Sequence, residues 1–260
     1  MKVVVLTKPV PDTSGDESLE ADLTLDRASL APVINPNDEY ALEAALRLAE
    51  SVPGTEITML TMAPAESWAG LSKGLAVGAN QAVMVTDPAL EGSCIVGTAN
   101  ILAAALRKLE FDLVLAGTDT PDGRAGVICS AVAALLQIPF ISHAGSIEVR
   151  DDRVVVSRTR DDGHETLDAP LPAVVAVTQQ IGDLRYPNLR GIMSARSRRP
   201  TSWSLADLDV AGAAGGAAAT TATLQVEPCE THTPTRVVRG DAEAVVHEVV
   251  AFLVDRRLIP

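Results

Sequence analysis

Five short aliphatic runs constrain this chain more than any other feature. They are KVVVLT at 2–7, TEITMLTM at 55–62, QAVMVTD at 81–87, FDLVLAG at 111–117 and LPAVVAVT at 171–178. All but FDLVLAG are rich in β-branched residues, and turn formers lie near the ends of each. Strands that read as near-continuous apolar runs are buried on both faces, which is the pattern of a parallel sheet covered by helices. The intervening segments fit that reading. INPNDEYALEAALRLAE (34–50) opens on Asn35 or Asn37 as a cap, carries Asp38 and Glu39 in its first turn, and repeats Ala41, Leu42, Ala45, Leu46 and Ala49 at helical spacing. ESWAGLSKGLAVG (66–78) predicts a second helix. Residues 95–108 predict a third, with Ile95, Ala99, Leu102, Ala103 and Leu106 on one face. Residues 124–137 predict a fourth, with Val127, Ile128, Ala131, Val132 and Leu135 inward. The rhythm βαβα predicts an α/β fold with a doubly wound, mostly parallel sheet, a three-layer sandwich. Hydrophobic residues make up 47% of the chain but aromatics only 3%, so Ala and Val must fill the core, which suits small-faced helices lying close to the sheet.

The rhythm then changes. Weak alternation over 22–34 predicts a short hairpin. SIEVRDDRVVVSRTRDDGHETL (146–167) predicts an antiparallel ribbon turning at its two Asp-Asp pairs. AGAAGGAAATTA (211–222) is a low-complexity linker with nothing large to bury. Beyond it, residues 241–260 predict a terminal helix whose Val245, Val246, Val249, Val250, Leu253 and Val254 form a broad apolar face. We therefore divide the chain into an α/β domain at 1–200 and, at 201–260, a linker with a C-terminal arm that is expected to dock on a partner subunit.

The net charge of −13 repels a phosphate backbone and excludes general nucleic-acid binding. It leaves small nucleotides open, because amides at a helix start hold phosphate without net positive charge. The N-terminal apolar run is too short for a signal peptide or a membrane span. Cys94, Cys129 and Cys229 are far apart and odd in number, which fits structural thiols in a reducing cytoplasm. Neither GxGxxG after the first strand nor a Walker loop occurs.

In an open α/β sheet, ligands lie at the carboxyl ends of the strands. Three loops reach that edge: KPVPDTS (8–14), MAPAES (62–67) and GTDTPDGRAG (117–126). The third combines Gly117, Gly123 and Gly126 with Thr118, Thr120, Asp119, Asp122 and Arg124, ahead of a helix. Glycine amides, a helix N-terminus and Arg124 suit a phosphate; the same residues also suit an ordinary βα turn. Asp119 and Asp122 read as turn formers rather than metal ligands. His143, His164, His232 and His247 are scattered, and no nucleophile motif adjoins one. Glu39 and Glu43, four apart on a helix, read as solvated surface. Trp68 and Trp203 read as packing residues. The most basic stretch, RYPNLRGIMSARSRR (185–199), places Leu189 in a polar, arginine-rich setting within an acidic chain.

KPVPD after strand one, INPNDEYALEAALRL at 34–48, LSKGLAVGANQAVMV at 71–85 and above all RYPNLRGIMSARSRR at 185–199 resemble the beta subunit of electron transfer flavoprotein. The resemblance covers residues 1–200; the linker and last helix match in position and character. It implies an adenine-nucleotide-binding, Rossmann-like sheet and an electron carrier without a catalytic constellation of its own. It also implies a heterodimer with an alpha subunit, in which alpha holds most of one FAD and this chain holds an AMP. Electrons would come from dehydrogenases, such as the acyl-CoA dehydrogenases of fatty acid oxidation, and pass to the respiratory chain from a cytoplasmic complex.

The AMP contacts it implies fall on Leu6, on Asn35, Pro36, Asn37 and Asp38, on Met62, and on Gly117, Thr118, Asp119, Thr120, Asp122, Gly123, Arg124, Ala125 and Gly126. The recognition loop it implies spans 183–196, with Leu189 as an anchor for the dehydrogenase and Arg185, Tyr186, Ile192, Met193 and Arg196 around it. The chain departs from the pattern in a shorter 117–126 loop, and in Thr13 and Asn37 where some members carry aromatics near the flavin. Two alternatives stand beside this reading: a relative that binds a second FAD and bifurcates electrons, and an ATP-binding or nucleotidyl-transfer protein of the same sheet class. A third is a structural subunit with a vestigial nucleotide site.

Overall fold

The structure, a computed structural model, describes residues 1–260 except 13, 15–17, 28, 211–214 and 228–236. Thr13, Cys229 and His232 therefore lie outside the described residues. By contacts the chain forms two units, Met1–Leu224 and Gln225–Pro260.

In the first unit the strands are β1 (Lys2–Leu6), β2 (Pro9–Pro11), β3 (Pro32–Ile34), β4 (Glu56–Met62), β5 (Gln81–Val85) and β6 (Leu113–Gly117). They continue with β7 (Phe140–Ala144), β8 (Ser146–Arg150), β9 (Arg153–Arg160), β10 (Gly163–Pro170), β11 (Ala173–Val177) and β12 (Thr201–Trp203). The helices are α1 (Pro36–Ser51), α2 (Trp68–Leu71), α3 (Lys73–Val77), α4 (Ile95–Lys108), α5 (Ile128–Leu136) and α6 (Leu189–Ser197).

The five aliphatic runs form the centre of a seven-stranded sheet ordered β12-β5-β4-β1-β6-β11-β7. Every pairing in it is parallel. Alternate residues feed two separate cores. Val3, Val5, Met59, Leu115 and Val175 pack under α1 and its neighbours, while Val4, Leu60, Val114 and Val174 pack under α4 and α5. That is the expected three-layer arrangement. Trp68 packs on the first core and Trp203 on the second. The ribbon β8-β9-β10 turns at Asp151-Asp152 and Asp161-Asp162, as its sequence predicts.

Several local expectations change. The 22–34 hairpin is replaced by an antiparallel pairing of β3 with β2, with a single bridge between Leu19 and Leu25 before it. The 66–78 helix divides at Ser72 into α2 and α3. Helix α5 starts at Ile128 rather than 124, because Arg124 and Gly126 take positive φ of 46° and 59° and cannot join it. Val127 and Leu135, read as inward, are exposed, and so is Ile95 at the start of α4.

The compact unit also extends past residue 200. β12 adds to the sheet beside β5, and the small-residue segment after it is laid against the 89–94 turn. Gly215 N donates to Ser93 Oγ at 2.9 Å and Gly216 N to Glu91 O at 2.8 Å. Gly215 has φ +84°, and a Cβ there would drive into the Ala89 carbonyl. The low complexity thus permits a close backbone approach. Thr220 N donates to Cys94 Sγ at 3.4 Å. Amide donors from Gly97 and Thr220 lower the Cys94 thiol to about 6, unlike an inert structural cysteine, whereas burial pushes Cys129 up to about 12.

In the second unit, α7 (Ala242–Asp255) is capped by Asp241, which accepts from Ala244 N at 3.0 Å. Val246, Val249, Val250, Phe252 and Val254 on it are exposed. Among the described residues, no helix is long and apolar enough to cross a membrane.

Gly215→Ala should destabilise the first unit by about 1–3 kcal/mol, because it adds both overpacking and left-handed strain. Urea unfolding monitored by far-UV circular dichroism checks this, with Gly54→Ala as comparison: its φ is +75°, but a Cβ there meets open space.

Candidate functional site

The strand order reverses beside β1: the chain moves outward through β4 and β5, then returns to β6 on the other side. Such a switch point leaves a crevice at the carboxyl ends of β1 and β6. Helix α1 begins above it. Asn35 is its N-cap, with Oδ1 accepting from Asn37 N at 3.3 Å, and Pro36 follows at the first helical position.

Asp38, in the first turn, is 5% exposed and ties the two strand ends together. Its Oδ2 accepts from Lys8 N at 2.8 Å and its Oδ1 from Gly117 N at 3.0 Å. Burial pushes the Asp38 carboxyl up to about 7, against these two donors, which favour the charged form. Asn35 Nδ2 and Asn37 Nδ2 both donate to Asp119 O at 2.9 Å. Gly117 must be glycine here, since a Cβ would lie 2.5 Å from Asn37.

The 117–126 loop is internally bonded. Asp119 Oδ1 accepts from Thr120 N at 2.7 Å and Gly126 N at 3.0 Å. Gly123 N donates to Thr120 Oγ1 at 3.2 Å. The amides of Gly117, Gly123 and Gly126 are therefore all occupied within the protein. Helix α5 follows with Val127 at its N-cap, a side chain that offers no acceptor, so its first-turn amides are the open donors at this edge.

Arg124 is exposed, and its Nε donates to Pro121 O at 2.9 Å. Ala125 is exposed beside it, and Thr118 is half-buried. Leu6 and Met62 close the ends of β1 and β4, Leu6 buried and Met62 half-buried. A cleft of about 310 Å³ is lined by Pro36, Asn37, Asp119, Thr120, Pro121 and Arg124.

Two cations that the sequence reading did not single out meet beneath this loop. Asp122, its side chain 1% exposed, is flanked by Lys8 Nζ at 2.8 Å and Arg27 Nη2 at 2.6 Å. Burial alone would raise its carboxyl; Lys8, Thr120 and Arg27 outweigh that and hold it at about 2. Lys8 stands directly after strand one, a visible position. Arg27 lies in an irregular excursion with no pattern to mark it. Among the described residues, no group of His, Cys, Asp and Glu converges as a metal site would need.

The arginine-rich stretch is a helix rather than a loop. Asn188 caps α6, its Oδ1 accepting from Gly191 N at 2.8 Å. Gly191 lies against the Ala76 carbonyl of α3, too close for any Cβ. Arg198 donates to Ala79 O at 3.2 Å and to Asn80 O. Tyr186, Leu189 and Met193 are left 96%, 74% and 63% exposed, and Ile192 37%. Arg196 sits in the last turn of α6. Arg185 turns inward to Glu43 and Glu50. Glu43, read as solvated surface, is in fact 4% exposed beneath it.

The sequence profile described as "Electron transfer flavoprotein domain" matches residues 22–208. The chain belongs to the electron transfer flavoprotein family. It is 37% identical to the electron transfer flavoprotein subunit beta of Mycobacterium leprae over 80% of both chains. It is 33% identical to the subunit beta of Mycobacterium bovis over 99% of both. It is also 33% identical, over 83% of both, to the caffeyl-CoA reductase-Etf complex subunit CarD of Acetobacterium woodii. An electron transfer flavoprotein subunit of this kind is an electron carrier rather than a catalyst, is associated with flavin, and works with an alpha-subunit partner.

Asp38→Asn should cost about 1–3 kcal/mol, because an amide presents one acceptor where two backbone N–H groups point. The wild-type carboxyl is raised when folded, so its contribution is complete below about pH 4 and is lost as pH rises through about 7. Denaturant titrations between pH 4 and 8 should show that slope in the wild type and a flatter profile in the variant. Asp122 acts in the opposite sense, its contribution present above about pH 4 and lost toward pH 2.

Proposed function

We propose that the chain is the beta subunit of a heterodimeric electron transfer flavoprotein that carries AMP in the β1–β6 cleft. In this reading FAD is held mainly by the alpha subunit, and acyl-CoA-type dehydrogenases dock on α6 to deliver electrons bound for the respiratory chain. The observation that carries the docking assignment is Leu189: 74% exposed on a helix that is otherwise capped and pinned. Burying one leucine contributes roughly 1.5–3 kcal/mol. Arg190, Arg196 and Arg199 surround it with positive charge on a chain of net charge −13, which favours an acidic partner surface.

The cleft supports AMP in three ways. It lies at the switch point. Its volume of about 310 Å³ is at the low end of the roughly 300–1,000 Å³ usual for small-molecule sites, which suits a mononucleotide better than a dinucleotide. Its lining includes Arg124, whose guanidinium suits a phosphate, and α5 begins four residues further on. FAD, when bound to the heterodimer, supplies the electron-accepting chemistry; this chain supplies position, a docking surface and an anion site.

Leu189→Ala should leave flavin content and folding unchanged while lowering kcat/KM for reduction by an acyl-CoA dehydrogenase roughly tenfold to a hundredfold. Unchanged kinetics would remove Leu189 as the anchor.

Nucleotides extracted from the purified heterodimer should comprise one AMP and one FAD. Two FAD and no AMP would overturn the AMP assignment and favour a bifurcating relative. ATP turnover would favour the nucleotidyl-transfer reading. A nucleotide-free cleft with full electron transfer would favour the vestigial one.

A further inference from the structure

We propose that Glu43 is the positioning residue of the docking segment, holding Arg185 so that the chain enters α6 in one fixed direction. This rests on the reading of α6 as the docking surface, but the exchange measurement in its test does not.

Glu43 lies in the middle of α1, 142 residues from Arg185. Its Oε2 accepts from Arg185 N at 3.1 Å and from Arg185 Nε at 3.0 Å. Its Oε1 accepts from Arg185 Nη2 at 3.0 Å and from Arg47 Nε at 2.9 Å. The remaining arm of Arg185 reaches Glu50. The carboxylate therefore grips both the guanidinium fork and the backbone amide of one residue. A fork-to-fork contact fixes orientation as well as position. The added amide bond fixes the peptide plane from which the exposed segment departs.

Upstream geometry serves the same end. Gly182 takes φ +103°, and a Cβ there would lie 2.9 Å from Arg47 Nη2, so the chain crosses α1 with no side chain in the way. Downstream, Tyr186 is already 96% exposed. The segment is thus held on α1 at one end and on the Ala76–Asn80 turn at the other, with its exposed apolar side chains between.

A buried ion pair contributes little net stability beside a hydrophobic pair of the same volume; its best-supported use is to specify geometry. The pair here lies under a surface segment rather than within the sheet core. Burial would raise the Glu43 carboxyl, and Arg185 with Arg47 instead hold it below the usual range, so it stays charged.

The test uses the alpha–beta heterodimer with Glu43→Gln and, separately, Arg185→Lys. The lysine variant leaves α1 unaltered and keeps the charge but loses the fork, so it serves even where the buried glutamine prevents folding. Hydrogen–deuterium exchange should quicken about tenfold over residues 183–197 with strands β1, β4 and β6 unchanged, as expected for losing one charge-assisted bond network. With an acyl-CoA dehydrogenase as probe, KM should rise and kcat should hold. Exchange over 183–197 that matches wild type in either folded variant, or that quickens equally across the whole chain, would overturn the assignment. Failure of the docking reading looks different: Leu189→Ala kinetics unchanged while exchange protection at 183–197 still depends on Glu43.

Discussion

One carboxyl group holds the functional edge together. Asp38 receives the backbone N–H of Lys8 from the end of β1 and that of Gly117 from the end of β6. Lys8 lies just past β1 and Gly117 is the last residue of β6, where the strand order reverses. An unpaired buried amide costs free energy comparable to a lost hydrogen bond, and Asp38 removes two such costs at once. Its own burial opposes ionisation, and this tension raises its carboxyl toward neutrality. The crevice has a defined width because these strand ends are joined through the first turn of a helix rather than through a flexible loop.

Helix α1 then carries that order across the molecule. Its first turn lines the cleft through Pro36 and Asn37, and two turns later Glu43 receives the start of the docking segment. A helix rises about 1.5 Å per residue, so these functions lie roughly 10 Å apart on one rigid element. Its apolar stripe, including Ala41, Leu42 and Ala45, is buried in the core. The surface proposed to meet a partner is thereby referenced to the same frame as the cleft at the β1 and β6 ends.

Much of this was legible in the sequence. Strands apolar on both faces gave the parallel sheet, because only burial on both sides tolerates such runs. The order of loops placed the cleft, because ligands collect at carboxyl ends. Three features were not legible. Glu43 looked like surface because its helix pattern is local, while the segment that buries it lies 142 residues away. The glycines of 117–126 looked like open amide donors because composition does not show that Asp38, Thr120 and Asp119 consume them. The 211–222 stretch looked like a linker because small residues signal both flexibility and close packing. Gly215, held against Ser93 and Ala89, belongs to the second case.

The proposed docking surface follows from the same physics. In the proposed reading an electron carrier binds its donor briefly, and a contact built around one leucine has the right scale. A single anchor is effective only if little ordering is left to do at encounter, since each side chain immobilised on binding costs about 0.5–1.5 kcal/mol. The cap by Asn188, the contact of Gly191 with Ala76 and the grip of Glu43 on Arg185 complete that ordering during folding. In that reading Arg190, Arg196 and Arg199 act at longer range, where charge speeds encounter more than it strengthens a complex. A surface of this kind would gain fast arrival from its charges and easy departure from the smallness of its apolar contact.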